Sequence, residues 1–180
     1  MRRITFSSAV APALGAALLF GASTPLAKAL LRDVSPVLLA GLLYLGSGIG
    51  LGLVRIARDR GWRTPPMAKK EWSWLLLAIG FGGVLGPLAL MLGLTRTPGA
   101  TASLLLNLEA VLTAVLAWIV FRENTDRRIV LGMLLIVAGA VLLALPGSSQ
   151  GTHLGWGALL IAGACLCWAL DNNFTRKVSA

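Results

Sequence analysis

The sequence predicts an all-α membrane protein of about six transmembrane helices, and three observations carry that prediction. Only 13% of the 180 residues are charged and 57% are hydrophobic, against about 25% charged in a soluble domain. The apolar residues gather into six runs, each close to the roughly 20 residues that a helix needs to cross a bilayer core. None of the runs alternates in the way a membrane-spanning strand would.

The first run, 9–31, follows Arg2-Arg3 and is interrupted by Ser23-Thr24-Pro25. A basic start and an apolar stretch ending near Ala22-Ser23 also have the shape of a cleaved leader. The stretch continues past Pro25 to Leu31 and five further runs follow, so it is read as the first helix. Arg32-Asp33 closes it. The second run, 36–57, carries Gly46, Gly48, Gly50 and Gly52, two overlapping GxxxG pairs of the kind that let membrane helices approach closely. A polar segment with Pro65-Pro66 separates it from the third run, 72–94, in which Gly82, Gly83 and Gly86 precede Pro87. Plain helix packing explains these glycines. The alternative is that Gly86-Pro87 and Ser23-Thr24-Pro25 break the backbone beside a cavity, where irregular structure at membrane depth is tolerated. The fourth run is 99–121, the fifth and shortest 129–145, and the sixth 156–174.

Lys and Arg set the orientation. The N-terminus, the second and fourth loops and the C-terminus hold 13 of the 16, and the opposite side holds only Lys28, Arg32 and Arg96. Positive loops stay inside, which places both termini in the cytoplasm, as an even helix count requires. The net charge of +9 is accounted for in the same way, and no nucleic-acid partner is expected. The lipid bilayer is the expected partner surface.

One His and two Cys exclude a disulfide scaffold and any His/Cys metal site of ordinary spacing. Cys165 and Cys167 sit about 200° apart on a helix and read as small core residues. Gly147-Ser148-Ser149-Gln150-Gly151 fits G-x-S-x-G with His153 nearby. That motif needs a strand-to-helix elbow and an acid partner, whereas here it lies in a short loop between membrane helices. There is no phosphate-binding loop, HExxH or dinucleotide fingerprint. Neither a cofactor nor a metal is expected, and the chain does not read as an enzyme.

Glu109 is the sharpest polar signal, because it lies close to the middle of the fourth run. Intramembrane acids are costly and face a cavity or a partner. Thr113 lies one turn along the same face, and a continuous helix would send Asn107 to nearly the opposite side. Glu109 reads either as a carboxyl that exchanges a proton or binds a cationic substrate, or as a structural hydrogen-bonding group. Asp171, Asn172 and Asn173 form a polar cluster in the sixth run, with Arg176 one turn beyond Asn172. They mark either a site or a helix end among headgroups. Lys28 either snorkels outward from the first helix or serves as an anion-binding group in a vestibule. The candidate substrate- or proton-binding residues are therefore Glu109, Asn107, Thr113, Lys28, Asp171, Asn172 and Arg176.

An offset of 148 residues pairs Gly15 with Gly163, Ala16 with Ala164, Leu18 with Leu166, Phe20 with Trp168 and Lys28 with Arg176. The first and sixth helices run in opposite directions, so a five-helix unit would recur inverted, as in secondary transporters. Thr101–Glu123 reads TASLLLNLEAVLTAVLAWIVFRE. It resembles the fourth helix of the EamA family of the drug/metabolite transporter superfamily, with its "LEPV…gE" pattern. Glu109 and Glu123 fall on the two acids, and Ala110 replaces the Pro. Leu131-Gly132 to Leu143 is similar to the family's fifth helix, and CWALDNNFTRK (Cys167–Lys177) to the start of its second repeat.

The resemblance implies ten helices in two inverted repeats around a substrate cavity, and export of amino acids, other small metabolites or drugs across a bacterial inner membrane without ATP. Residues 1–146 would form the first repeat, 147–155 an outward loop and 156–180 the first helix of the second repeat. The pattern stops after that helix. A second chain or a missing repeat is then expected to complete the cavity. The alternative function is that of a non-transporting membrane subunit or an inert truncation product.

Overall fold

A computed structural model describes residues 10–59, 68–121, 126–144 and 155–179. Arg2, Arg3, Arg60, Arg63, Arg122, Glu123, the 147–151 motif and His153 lie outside the described residues, as does most of the 147–155 loop. Among the described residues every element is helical.

The first span is α1 (Val10–Leu30). It runs unbroken through Ser23-Thr24-Pro25, so the alternative of a break there does not hold. Pro25 has no N–H to give the Gly21 carbonyl, so the helix continues through it one backbone bond short. The Ser23 hydroxyl donates to the Phe20 carbonyl at 2.6 Å. The second span, α2 (Pro36–Asp59), starts on a proline, whose missing N–H costs nothing at a first helical position. There the Leu38 N–H reaches the Ser35 hydroxyl at 3.4 Å.

The third span is α3 (Lys69–Ala78), a π-helical segment (Ile79–Leu85) and α4 (Gly86–Arg96). Its irregularity ends at Gly86-Pro87, the place where the alternative reading puts a break. Pro87 has no N–H to offer the preceding turn, and the Gly86 N–H reaches back five residues to the Phe81 carbonyl. The fourth span is not one helix either. It divides into α5 (Gly99–Leu105) and α6 (Leu108–Phe121), separated by a tight turn at Leu106-Asn107. Here the Asn107 side chain competes for backbone groups, its Nδ2 donating to the Leu104 carbonyl at 3.0 Å. The fifth span, α7 (Arg127–Ala144), is the shortest unbroken one, as expected, and the sixth is α8 (Trp156–Ser179). Five spans, those built from α1, α2, α3–α4, α5–α6 and α8, are long and apolar enough to cross a membrane.

The sixth span lies at the centre of the bundle. It packs on α3, the π segment and α4 along one side and on α6 and α5 along another. Cβ atoms built on Gly82, Gly86 and Gly93 would meet Asp171, Trp168 and Ile161 respectively, so α8 runs antiparallel to the third span. Cys165 lies against Leu105 and Leu106, while Asn172 and Asn173 reach Thr113, so α8 runs parallel to the fourth span. The core is Leu90, Met91 and Leu94 of α4, Leu105 of α5, and Ile161 and Cys165 of α8, closed at its ends by Ala27, Leu39 and Ala140. Outward positions stay apolar, with Leu18, Leu19, Leu51 and Leu142 all at least 70% exposed. Water would penalise such a surface and hydrocarbon does not. The chain is a multi-pass membrane protein.

Candidate functional site

A groove of about 680 Å³ lies between α1, the α5–α6 span and α8. Two features of the chain produce it. First, the turn at Leu106-Asn107 restarts the helix, so Glu109 lies in the first turn of α6. Second, Ala110, Ala114 and Ala117 follow at intervals of three and four residues, and this face of α6 is too small to fill the space against α1. Phe20 of α1 borders the groove from the other side.

The groove brings together five of the seven residues singled out in the sequence: Asn107, Glu109, Thr113, Asn172 and Arg176. Asn172 Nδ2 donates to Glu109 Oε1 at 3.0 Å and approaches Thr113 Oγ1 at 3.4 Å. Glu109 and Thr113 thus share a face, as their spacing predicts. Asn107 borders the same groove, in line with Ser103, Ala110, Ala114 and Ala117 at steps of three and four residues, while Glu109 and Thr113 lie along the other edge. Asn173 stands beside Asn172 and is buried, donating to the Ala169 carbonyl at 2.8 Å and toward the Thr113 carbonyl at 3.4 Å. Helix α8 continues five residues past Phe174, to Ser179.

Two candidates lie elsewhere. Asp171 faces the π segment: a Cβ on Gly82 would collide with its carboxylate, and its Oδ1 accepts from the Thr175 hydroxyl at 3.0 Å. Beside it the Gly82 carbonyl accepts from both Tyr44 OH, at 3.0 Å, and Trp168 Nε1, at 3.1 Å. Trp168 Nε1 is also 3.3 Å from Tyr44 OH. A π turn leaves a carbonyl without its ordinary partner, and side chains from α2 and α8 supply donors. Lys28 lies at the other end of the bundle. Its ammonium donates to the Leu94 carbonyl near the end of α4 and lines a separate cavity of about 350 Å³.

The groove offers a carboxylate, a guanidinium and three amides on adjoining helices, an arrangement able to hold a small polar molecule or pass a proton. Reading the sequence alone missed the Tyr44–Trp168–Gly82 cluster. Its only signal is the recurrence of Gly82, Gly86 and Gly93 on one face of the third span. Of the two cysteines, Cys165 is buried and Cys167 partly exposed, and both are free.

Comparison with known proteins adds the following. A model of the EamA-like transporter family matches residues 7–145. An uncharacterized transporter of Methanothermobacter thermautotrophicus is 28% identical over 177 residues, covering 91% of this chain and 52% of that protein. The uncharacterized transporter YetK of Bacillus subtilis is 29% identical over 163 residues, covering 88% of this chain and 48% of that protein. The probable 4-amino-4-deoxy-L-arabinose-phosphoundecaprenol flippase subunit ArnE of Pseudomonas aeruginosa is 37% identical over 111 residues, covering 61% of this chain and 91% of that protein. The chain spans about half the length of the first two. No solved structure matches it.

Proposed function

The chain belongs to the EamA-like transporter family, and on that premise we propose that it provides part of the pathway of a secondary transporter. In this reading a small metabolite, amino acid or drug is exported across a bacterial inner membrane by alternating access, without ATP and without enzymatic chemistry. The observation that carries the reading is Glu109, an acid on a membrane span that borders a groove and accepts from Asn172 on a second span. Intramembrane acids mark substrate or proton pathways. Glu109 exchanges a proton or contacts a cationic group of the substrate, with Asn107, Thr113, Asn172 and Arg176 as neighbours. Residues 1–146 act as one repeat and 156–180 as the start of its inverted counterpart, and both termini face the cytoplasm. The positive-inside count supports that orientation.

Reconstitution into liposomes tests the role. Substrate flux driven by a proton gradient should fall at least about tenfold in Glu109→Gln, and unchanged flux would remove the role assigned to Glu109. A second reading is favoured by ArnE, whose name describes a flippase subunit and which aligns over 91% of its own length. In this reading the chain works as a membrane subunit alongside a second chain. Its mass in native nanodiscs tests this reading: a subunit travels with its partner, and a chain found alone at 18.8 kDa would overturn it.

A further inference from the structure

At the end of the bundle opposite Arg176, the last turn of α1 and the end of α4 enclose the cavity of about 350 Å³ that contains Lys28, Arg32 and Thr95. Lys28 and Arg32 are four residues apart on a turn that continues past Leu30, with Leu31 N–H bonded to the Ala27 carbonyl at 3.0 Å and Arg32 N–H to that of Ala29 at 3.2 Å. Residues at that spacing rise from one face, about 6 Å apart. Lys28 gives one proton to the Leu94 carbonyl and keeps two, and Arg32 brings a fork of five donors. Asp33 follows Arg32 in the same turn, but among the described residues the ion pairs are those of Asp59 with Arg55 and Arg58, and none joins Asp33 to Lys28 or Arg32. The carbonyl ends of α1 and α4 contribute only about half a charge each. Pro25, Ala29 and Leu31 form an apolar floor, and the Thr95 hydroxyl is turned away to the Leu92 carbonyl at 2.7 Å.

Two cations lining one cavity where the apolar spans end, with no acid among the residues that line it and room for a tetrahedral oxyanion, define an anion site. We propose that this cavity binds a phosphate group through Lys28 and Arg32. The phosphate belongs either to the headgroup of an anionic phospholipid at the membrane boundary or to a phosphate free in solution. The site is separate from the Glu109 groove, and the proposal stands whether or not that groove carries substrate.

Two probes separate the sources: phosphatidylglycerol, counted as adducts on the detergent-solubilised protein by native mass spectrometry, and inorganic phosphate, measured by its protection of Lys28 from amine-reactive labelling. Arg32→Gln should weaken binding about tenfold, the expected loss for one charge-assisted contact. Arg96→Gln, which removes a charge from the same end without touching the cavity, should leave binding unchanged. Lipid adducts that fall in Arg32→Gln identify the headgroup, and phosphate protection that falls while lipid adducts persist identifies the free anion. Lys28→Gln also removes the Leu94 contact, so Arg32→Gln carries the test if that variant fails to fold. Binding of both probes that is indifferent to Arg32, or equally reduced by Arg96→Gln, would overturn the proposal.

Discussion

Helix α8 has two faces that solve opposite problems. Toward the third span it meets Gly82, Gly86 and Gly93, and its own Gly157 meets Thr97 and the Gly93 carbonyl. There the backbones close until no side chain fits between them. Toward α6 and α1 it meets Glu109 and Thr113 across a cavity of about 680 Å³. Lipid is as apolar as Leu, so helices gain from association mainly by close packing and hydrogen bonds. The glycine face supplies the packing and leaves the other face free to hold polar groups and empty volume. Stability and the candidate site are thus carried by different sides of one helix, which substitutions can separate.

The largest expected effect falls on the closed face. A Cβ on Gly93 would lie 2.7 Å from Ile161 Cγ1 and 2.8 Å from the Gly157 carbonyl oxygen. Gly93→Leu must therefore push α4 and α8 apart, costing about 3 kcal/mol or more. Gly163, on α8 itself, meets nothing within 4 Å, and Gly163→Leu should stay within about 0.5 kcal/mol of the parent. Unfolding in mild detergent reads both, and equal losses would mean that the two faces do not differ as described.

On the open face, Glu109→Gln should reverse the pattern, with proton-driven flux reduced at least about tenfold and the unfolding midpoint nearly unchanged. The neighbouring asparagines refine the boundary. Asn173 is 6% exposed and holds the Ala169 and Thr113 carbonyls, so Asn173→Ala should cost about 1 kcal/mol of stability. Asn172 is exposed in the groove and touches the Glu109 carboxylate, so Asn172→Ala should change flux with little loss of stability. If Asn172→Ala destabilises as much as Asn173→Ala, the Glu109–Asn172 bond is a structural contact.

How much of this was legible in the sequence depends on the element. The six spans follow from apolar run length, and their assignment needed no knowledge of packing. Glu109 and Thr113 were placed on one face because α6 is regular between them. Asn107 reaches the groove from the opposite edge, because the small Ala110, Ala114 and Ala117 leave it wide, and the angle between two positions on a helix does not record the width of a cavity. Asp171 was grouped with Asn172 because the two are adjacent, yet one residue of helix rotation sends it to the π segment instead of the groove. For Lys28 the sequence leaves two fates open, snorkelling from a helix end or binding an anion in a vestibule. The Leu94 carbonyl that captures it lies 66 residues away, beyond the reach of local pattern.

The smallest expected effect comes from the cluster that joins the closed face to α2. The Gly82 carbonyl has two donors, Tyr44 OH and Trp168 Nε1. Tyr44→Phe removes one and leaves the carbonyl satisfied, so the loss should be no more than about 0.6 kcal/mol, the average for a hydrogen bond between membrane helices. Trp168→Phe alone also leaves one donor in place, although it loses some packing against Gly86. The double variant leaves a carbonyl of the π segment unpaired away from water, where an unsatisfied group costs about 1–3 kcal/mol. Its loss should therefore exceed the sum of the two singles, and the excess is read from a double-mutant cycle on the unfolding free energy. Strict additivity would show that the two donors do not share one acceptor, and that the π segment holds its shape without help from α2 and α8.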